Sequence, residues 1–304
     1  MNTSKMDLLL RGRGPVLCLG VLAAVAVLGV AGCRSARADA EDPLAAAVPA
    51  PDGFVFVRAG QYLMGSPDSE TGRDGDEVQH SVILTRDLFV GVTEVTQSEW
   101  IRFMEYNPSQ FSNCGGLCPV ERVSWFEAVE FANARSRAED LQECYALSNC
   151  RGSLSAGDYR CRTVQVTGAV CEGYRLPTEA EWEYVARAGS TDARYGSLNA
   201  IAWYDPSSGG RTHPVGGLAA NAWGLHDVMG NVWEWTDDWF APYGAATINP
   251  EGPERGFSKV YRGGSWDYGH RVIRSAYRGI DEPHVRAPDV GLRLVRTVLV
   301  SAGP

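Results

Sequence analysis

The chain contains 304 residues, of which 28 are lysine or arginine and 37 are aspartate or glutamate, so its formal net charge is −9. This acidic balance disfavours a nucleic-acid partner, because a negatively charged backbone would be repelled. The length is sufficient for one sizeable domain with a buried core in addition to an N-terminal leader. We therefore expect one folded domain and no binding to nucleic acid.

The N-terminal leader has the pattern of a lipoprotein signal peptide. Lys5, Arg11 and Arg13 precede an uncharged apolar stretch, Val16 to Val30, which is too short to span a bilayer comfortably and has the length of a signal-peptide core. The stretch ends in the sequence VAGC, with small residues before Cys33, which predicts cleavage before that cysteine and lipid attachment to it. A plain secretory signal, or an uncleaved helix with a chance cysteine, is the alternative.

Lipidation at Cys33 would add several acyl chains, and two or more make membrane anchoring stable rather than marginal. Arg34 follows the cysteine, so the chain has no aspartate retention signal. We therefore expect an exported protein that is lipid-anchored to the cell envelope, at the outer membrane if the cell has two membranes.

Composition divides the chain into four parts. Residues 1–32 are the predicted signal peptide, and residues 33–51 hold the lipidated cysteine and a flexible tether rich in alanine and proline. From residue 52 to 297 the chain is aromatic, rich in glycine and apolar, which predicts a single domain, and residues 298–304 form a tail.

Cysteine usage fits an exported domain. Six cysteines follow Cys33, and an even number in an oxidising compartment predicts three disulfides. Proximity favours the pairs Cys114–Cys118, Cys144–Cys150 and Cys161–Cys171, the last across a hairpin that turns at Thr167-Gly168. The alternative for the first pair is a thiolate metal site, although the second pair or the histidines that a zinc site needs are missing nearby.

Local patterns predict an α+β class with much irregular structure. Alternating apolar residues on both sides of Ala59-Gly60 predict a β-hairpin over residues 53–66. Helix starts are predicted by capping boxes, in which a serine or threonine precedes a glutamate by three residues. These boxes are Thr96/Glu99, Ser124/Glu127 and Thr178/Glu181. Beyond Gly189 helical periodicity is sparse, and the five tryptophans at 182, 233, 235, 239 and 266 are expected mainly to pack the core.

Eight short segments follow one another along this domain in a characteristic order. The segments are MGS (64–66), TEVT (93–96), VSWFEA (123–128), GYRLPTEAEWEYVARAG (173–189), THPVG (212–216), NAWGLHDVMGNVWEWTDDW (221–239), RGGSW (262–266) and GLRLVR (291–296). Together they resemble the formylglycine-generating enzyme, or sulfatase-modifying factor, family over essentially all of residues 53–297. The resemblance implies a mixed, loop-rich α+β fold with a C-type-lectin-like core.

The resemblance also indicates which chemistry is missing. Catalytic members of the family oxidise a cysteine of a sulfatase to formylglycine with O₂, using a cysteine pair shortly after the GGS segment that holds Cu(I). Here residues 263–278 contain no cysteine, and none occurs after Cys171. We therefore predict no catalytic residue and no copper. His270, in the same segment, is interpreted as a surface or cleft histidine rather than a lone metal ligand.

Calcium is the cofactor that the resemblance implies. In the family, the segment matching GNVWEW binds Ca²⁺ through a side-chain oxygen, two backbone carbonyls and a glutamate. The matching positions here are Asp227, Gly230, Val232 and Glu234, and such mixed oxygen ligands suit calcium. The alternative is that Glu234 pairs with an arginine of the RGGS segment.

These features together predict an envelope lipoprotein that displays a non-catalytic domain for binding or scaffolding. The expected partners are the membrane, through the lipid anchor, and a protein, peptide or glycan ligand. The alternatives are an oxidoreductase that generates formylglycine in sulfatases, which rests on fold resemblance alone, and a structural component of an envelope complex.

Overall fold

The computed structural model describes residues 49–168, 170–244 and 247–299. The predicted signal peptide and lipid-anchor site, most of the tether and most of the tail lie outside these residues. Within the described part, no helix combines the length and apolar character needed to cross a membrane.

Short strands and short helices make up the described domain. The strands are β1 (Phe54–Val57), β2 (Gly60–Met64), β3 (His80–Leu84), β4 (Leu88–Gly91), β5 (Tyr145–Arg151), β6 (Arg160–Val166), β7 (Tyr174–Arg175), β8 (Trp233–Trp239), β9 (Lys259–Arg262), β10 (Gly279–Asp281), β11 (Val290–Gly291) and β12 (Val295–Thr297). The helices are α1 (Gln97–Met104), α2 (Trp125–Ala138), α3 (Glu179–Arg187), α4 (Leu198–Ile201) and α5 (Asp205–Ser208), with a 3₁₀ turn at Ser112–Cys114.

The strands form two four-stranded sheets and two separate hairpins. One sheet has the order β1-β4-β12-β7 and is antiparallel throughout. The other has the order β10-β9-β8-β11, in which only the β8–β11 pair is parallel. The hairpins are β2–β3 and β5–β6. The predicted α+β, loop-rich class is therefore confirmed.

The hairpin predicted over residues 53–66 is wrong in its pairing, although both strands exist. Strand β1 pairs with β4, with Phe54 opposite Gly91, and β2 pairs with β3 instead. Gly60 begins β2 rather than forming a turn, and a Cβ at this position would lie 2.3 Å from the Tyr184 hydroxyl oxygen. The missing side chain at Gly60 therefore lets Tyr184 of α3 pack closely against β2. The alternation of apolar residues within one segment does not reveal this contact.

The predicted helix starts are confirmed at α1, α2 and α3. In each, the serine or threonine side chain accepts from the glutamate N–H, and the glutamate side chain accepts from the N–H of the capping residue. At α2, for example, the Ser124 N–H donates to Glu127 Oε2 over 2.9 Å. Among the described residues after Gly189, the helices are one turn long, as expected.

Three disulfides form, but two predicted pairings are wrong. The Cys114–Cys118 pair is confirmed, whereas the other links are Cys144–Cys171 and Cys150–Cys161. The error arises because β6 pairs with the preceding strand β5, which places Cys150 opposite Cys161. The predicted hairpin at Thr167-Gly168 does not form. Instead, the Cys144–Cys171 disulfide ties the base of the β5–β6 hairpin.

The predicted core role of the tryptophans is confirmed for four of the five. Trp182, Trp233, Trp235 and Trp266 are buried, whereas Trp239 is partly exposed. Trp233 and Trp235 belong to the main apolar cluster, and Trp182 belongs to a second cluster beneath the β1-β4-β12-β7 sheet.

Buried ion pairs join the RLPTEAEWEY segment to the RGGSW segment. Arg262 is fully buried and donates to Glu179 over 3.0 Å and to Glu183 over 2.5 Å. Gly264, two residues after Arg262, has φ +79°, and a Cβ there would lie 2.3 Å from the Ile273 side chain. Arg262 also donates to the carbonyl oxygens of Ser275 and Ala276, and it therefore holds the loop from 265 to 278 against α3.

Candidate functional site

The loop after the GGS segment presents hydroxyl, carboxylate and imidazole groups. Ser265 is buried and donates to Asp289 Oδ2 over 3.0 Å. Asp267, Tyr268 and His270 are exposed, and the Tyr268 ring packs edge-on against a buried tryptophan at 5.3 Å. The interpretation of His270 as a surface histidine is therefore confirmed.

A buried carboxylate that the sequence analysis missed lies at Glu121. Its Oε1 accepts from the Phe111 N–H over 2.7 Å, while Oε2 has no hydrogen-bond partner in the described residues. Burial raises the pKa of Glu121 to about 7, and the nearby carboxylate of Asp289 adds to the rise. No local pattern marks this residue, because its hydrogen-bond partners, Phe111 and Ser109, return to it across an irregular loop.

Glu234, a predicted calcium ligand, is enclosed by protein donors. Arg293 donates to Oε1 over 2.7 and 3.1 Å and to Oε2 over 3.0 Å, while Trp182 Nε1 donates to Oε2 over 2.7 Å. These contacts come from three N–H groups, since the Arg293 Nε–H is shared between both oxygens, and they occupy most of the about four lone-pair positions of the carboxylate. In this arrangement a calcium ion would have to compete with Arg293 and Trp182 for the oxygens of Glu234. The ion-pair alternative matches this arrangement, with Arg293 of GLRLVR instead of an arginine of the RGGS segment.

The rest of the predicted calcium set lies close to a second missed carboxylate, Glu94. Asp227 Oδ2 accepts from the Gly216 N–H over 2.6 Å, and Glu94 accepts from the Val232 N–H over 3.0 Å and from Asn231 Nδ2 over 2.7 Å. Burial raises the pKa of both carboxyls, and Asp227 contributes to the rise at Glu94.

This part of the molecule therefore concentrates buried acids beside one buried arginine. Within the described ranges, no group of three or more histidine, cysteine, aspartate or glutamate side chains is arranged to hold a metal ion. The calcium site, with ligands from two side chains and two carbonyls, stays a prediction.

A groove runs along the disulfide-linked β5–β6 hairpin. One cleft, of about 940 Å³, lies at the free end of the hairpin, and a second, of about 1070 Å³, continues towards its base. Phe126 and Trp239 line both clefts, and Phe257, which is 75% exposed, stands at the first. We call this surface the β6 groove.

Lys259 lies in the floor of the second cleft, and it is buried between two tryptophans. Its Nζ lies 3.9 Å from the ring centre of Trp125 and 4.2 Å from that of Trp239, and it donates to the Asp237 carbonyl over 2.6 Å. Burial lowers the pKa of Lys259 to about 8, against the attraction of Asp237 and Asp238. The floor therefore combines apolar surface with a positive charge.

The fold and these loops define a mixed α/β, loop-rich domain with a C-type-lectin-like core. Residues 40–298 match the model of the sulfatase-modifying factor enzyme 1-like domain. The chain therefore belongs to the sulfatase-modifying factor family, which confirms the resemblance seen in the sequence.

Curated relatives carry this domain in different settings. The chain is 34% identical to the chaperone protein LppX of Paenibacillus barcinonensis, over 69% of this chain and 80% of that protein. It is 35% identical to the formylglycine-generating enzyme of Mus musculus, over 82% and 76% of the two chains. The serine/threonine-protein kinase pkn1 of Chlamydia caviae is 30% identical over 81% of this chain but only 38% of the kinase.

Solved structures share the fold. The Treponema denticola variable protein 1 superposes with a TM-score of 0.68 at 30% identity, covering 80% of this chain and 94% of that one. PvdO from Pseudomonas aeruginosa superposes with a TM-score of 0.65 at 24% identity, covering 81% and 94%.

Proposed function

We propose that this protein is a lipid-anchored envelope protein whose domain binds a protein partner and does not generate formylglycine. The observation that carries the proposal is the placement of the cysteines. All six cysteines of the domain are joined in disulfides, and the loop from 263 to 278, where catalytic relatives hold copper, has none. Soft thiolate ligands for Cu(I) are therefore not available from this domain.

Similarity to a chaperone supports a binding role. The relative from Paenibacillus barcinonensis is named a chaperone protein, a class that acts by contact with another protein. The β6 groove supplies a concave surface with aromatic and charged side chains, the combination found where proteins recognise ligands. The lipid anchor at Cys33 would hold this groove at the membrane surface.

Purification from envelope membranes tests the binding role. The tagged full-length protein, solubilised in a mild detergent, should recover a partner protein in stoichiometric amount, and a tagged variant carrying the same anchor without residues 52–297 should not. Recovery of equal amounts by both would assign the interaction to the anchor and contradict the proposal.

A copper assay tests the absence of oxidase activity. The purified domain loaded with Cu(I) should leave the cysteine of a sulfatase-motif peptide unchanged under O₂, while a catalytic family member converts it in parallel. Copper-dependent formation of the aldehyde above a metal-free blank would support the oxidoreductase alternative instead.

A further inference from the structure

We propose that the β6 groove binds an extended, acidic segment of a protein partner, which adds to the β5–β6 hairpin as a third strand beside β6. This inference rests on the proposed binding function and specifies where and how the partner is held. It is carried by the lining of the groove, by the unpaired edge of β6 and by three arginines at one end.

The groove follows the length of β6 and also reaches β5 at Ala146 and at residues 149–151. Every residue from Arg160 to Gly168 lines one of the two clefts. Successive side chains of a strand point to opposite faces, so a groove against a single face would be lined by alternate residues. An unbroken run of lining residues therefore means that both faces of β6, and the main-chain groups between them, border the groove.

The opposite edge of the hairpin is occupied at its base. The Tyr145 N–H and C=O groups of β5 bond to the Asn133 side chain of α2, over 3.2 and 2.7 Å. Tyr145 faces Val166, and Leu147 faces Val164. In an antiparallel ladder, residue pairs whose N–H and C=O groups bond to each other alternate with pairs whose groups point away from the partner strand. Tyr145 belongs to the second kind, so its partner Val166, and Val164 two residues before it, also point their main-chain groups away from β5.

This outward edge is available for pairing. In the described chain, the main-chain groups of Val164 and Val166 make no hydrogen bond outside the hairpin. Val166 is also 39% exposed. An unpaired strand edge is a template for another strand, and addition of an extended peptide to such an edge is an established mode of recognition.

Three arginines determine the charge of the partner. Arg151 and Arg160 are directly opposite each other in the hairpin, and Arg162 is two residues along the same face. None of the three has an ion pair or side-chain hydrogen bond within the described residues, and all three line the first cleft. Like charges placed opposite each other destabilise a hairpin.

The Cys150–Cys161 disulfide holds two of these like charges together. It joins the residue pair next to Arg151 and Arg160, so repulsion cannot separate the strands there. The first cleft contains one carboxylate, Glu282, against these three arginines. In the second cleft, acidic and basic side chains balance, so the excess positive charge lies at the first cleft. A cluster of free arginines in a chain of net charge −9 favours a carboxylate-bearing ligand, because guanidinium groups bind carboxylates in a bidentate manner.

A peptide-binding assay tests the inference. The probe is a short fluorescein-labelled peptide of alternating valine and glutamate, compared with a version that has lysine for glutamate and one with N-methyl groups on alternate main-chain nitrogens. The purified domain should bind the acidic probe, and either change to the peptide should weaken binding at least about tenfold. The first change removes the charge match, and the second removes strand pairing.

Charge reversal on the protein provides the matched test. The double variant Arg160→Glu/Arg162→Glu should bind the acidic probe at least about tenfold more weakly and should remain folded, because both side chains are exposed and the opposition to Arg151 is relieved. Arg211→Glu, at an exposed arginine outside the groove, should bind like the wild type. The melting temperature of each variant shows whether it is folded.

The outcomes separate this inference from the proposed function. Equal binding of acidic and basic probes, no binding of the acidic probe, or indifference to charge reversal and N-methylation would overturn the strand-addition model. If the double variant still recovers the envelope partner in wild-type amounts, the partner binds elsewhere and only the inference fails. If the wild type recovers no partner, the proposed function fails. The peptide assay then still tests whether the β6 groove binds an extended acidic segment.

Discussion

Replacing Glu234 with glutamine removes one charge of a fully enclosed ion pair. Arg293 would then remain buried with its charge, facing an amide instead of a carboxylate. Breaking a buried pair by removing one partner costs about 3–5 kcal/mol. We expect a loss near the lower end, about 3 kcal/mol, because the neighbouring carboxylates of Glu94 and Asp227 also stabilise the guanidinium charge.

Urea unfolding of the purified domain measures this loss, in EDTA and in excess calcium. The ion-pair arrangement predicts the same decrease in the free energy of unfolding for Glu234→Gln in both buffers, with a fall in melting temperature of roughly 10 °C. The double variant Glu234→Gln/Arg293→Gln should recover part of the loss, because no unpaired charge remains. Glu172→Gln, at an exposed glutamate, should unfold like the wild type.

Calcium makes the opposite prediction for the same variant. A cation that binds only the folded state would stabilise the wild type by about 2.7 kcal/mol at a hundredfold excess over its dissociation constant, and the gain would be lost in Glu234→Gln. If the variant matched the wild type in EDTA and differed from it only in calcium, the ion-pair reasoning would be refuted. The predicted calcium site would then be supported.

The remaining predictions concern the disulfides, one buried acid and the anchor. Peptide mapping without reduction should recover the Cys144–Cys171 disulfide. Because this disulfide closes a loop of 27 residues, replacing both cysteines with serine should lower the free energy of unfolding by about 3–4 kcal/mol. In the folded domain the pKa of Glu121 is about 7, against 4.5 for the free group. The folded state therefore binds the proton more tightly than the unfolded state does. The free energy of unfolding should fall as the pH rises between these two values, by at most about 3 kcal/mol. Glu121→Gln should flatten that pH dependence in urea unfolding, and an unchanged slope would assign it to other groups. Metabolic labelling with a tagged fatty acid should mark the wild type and leave Cys33→Ser unlabelled; label on the variant would contradict the lipoprotein prediction.

Local chemistry explains why much of the fold was predictable. A capping box is complete within four residues, so Ser124 and Glu127 mark the start of a helix wherever the chain goes next. The number of disulfides follows from an even cysteine count in a domain predicted to be exported, and large aromatic side chains go to the core because they remove the most apolar surface from water. The missing copper ligands were also evident, since a residue that is not in the sequence cannot be supplied by folding.

Tertiary structure decided which distant residues meet. Glu234 and Arg293 are 59 residues apart, and their pairing depends on β11 lying parallel to β8, a contact that no local pattern encodes. Strand β6 pairs with β5 and not with the segment that follows it. Cys161 is therefore bonded to Cys150 instead of the predicted Cys171, and the other edge of β6 has no partner strand in the described residues. Side-chain caps act within one helical turn, whereas strand register and buried ion pairs are selected by the energy of the whole packed domain. The sequence by itself therefore determined the helix starts, the disulfide count, the aromatic core and the absent cysteine pair, while only the tertiary structure decided the cysteine partners, the partner of Glu234 and the β6 groove.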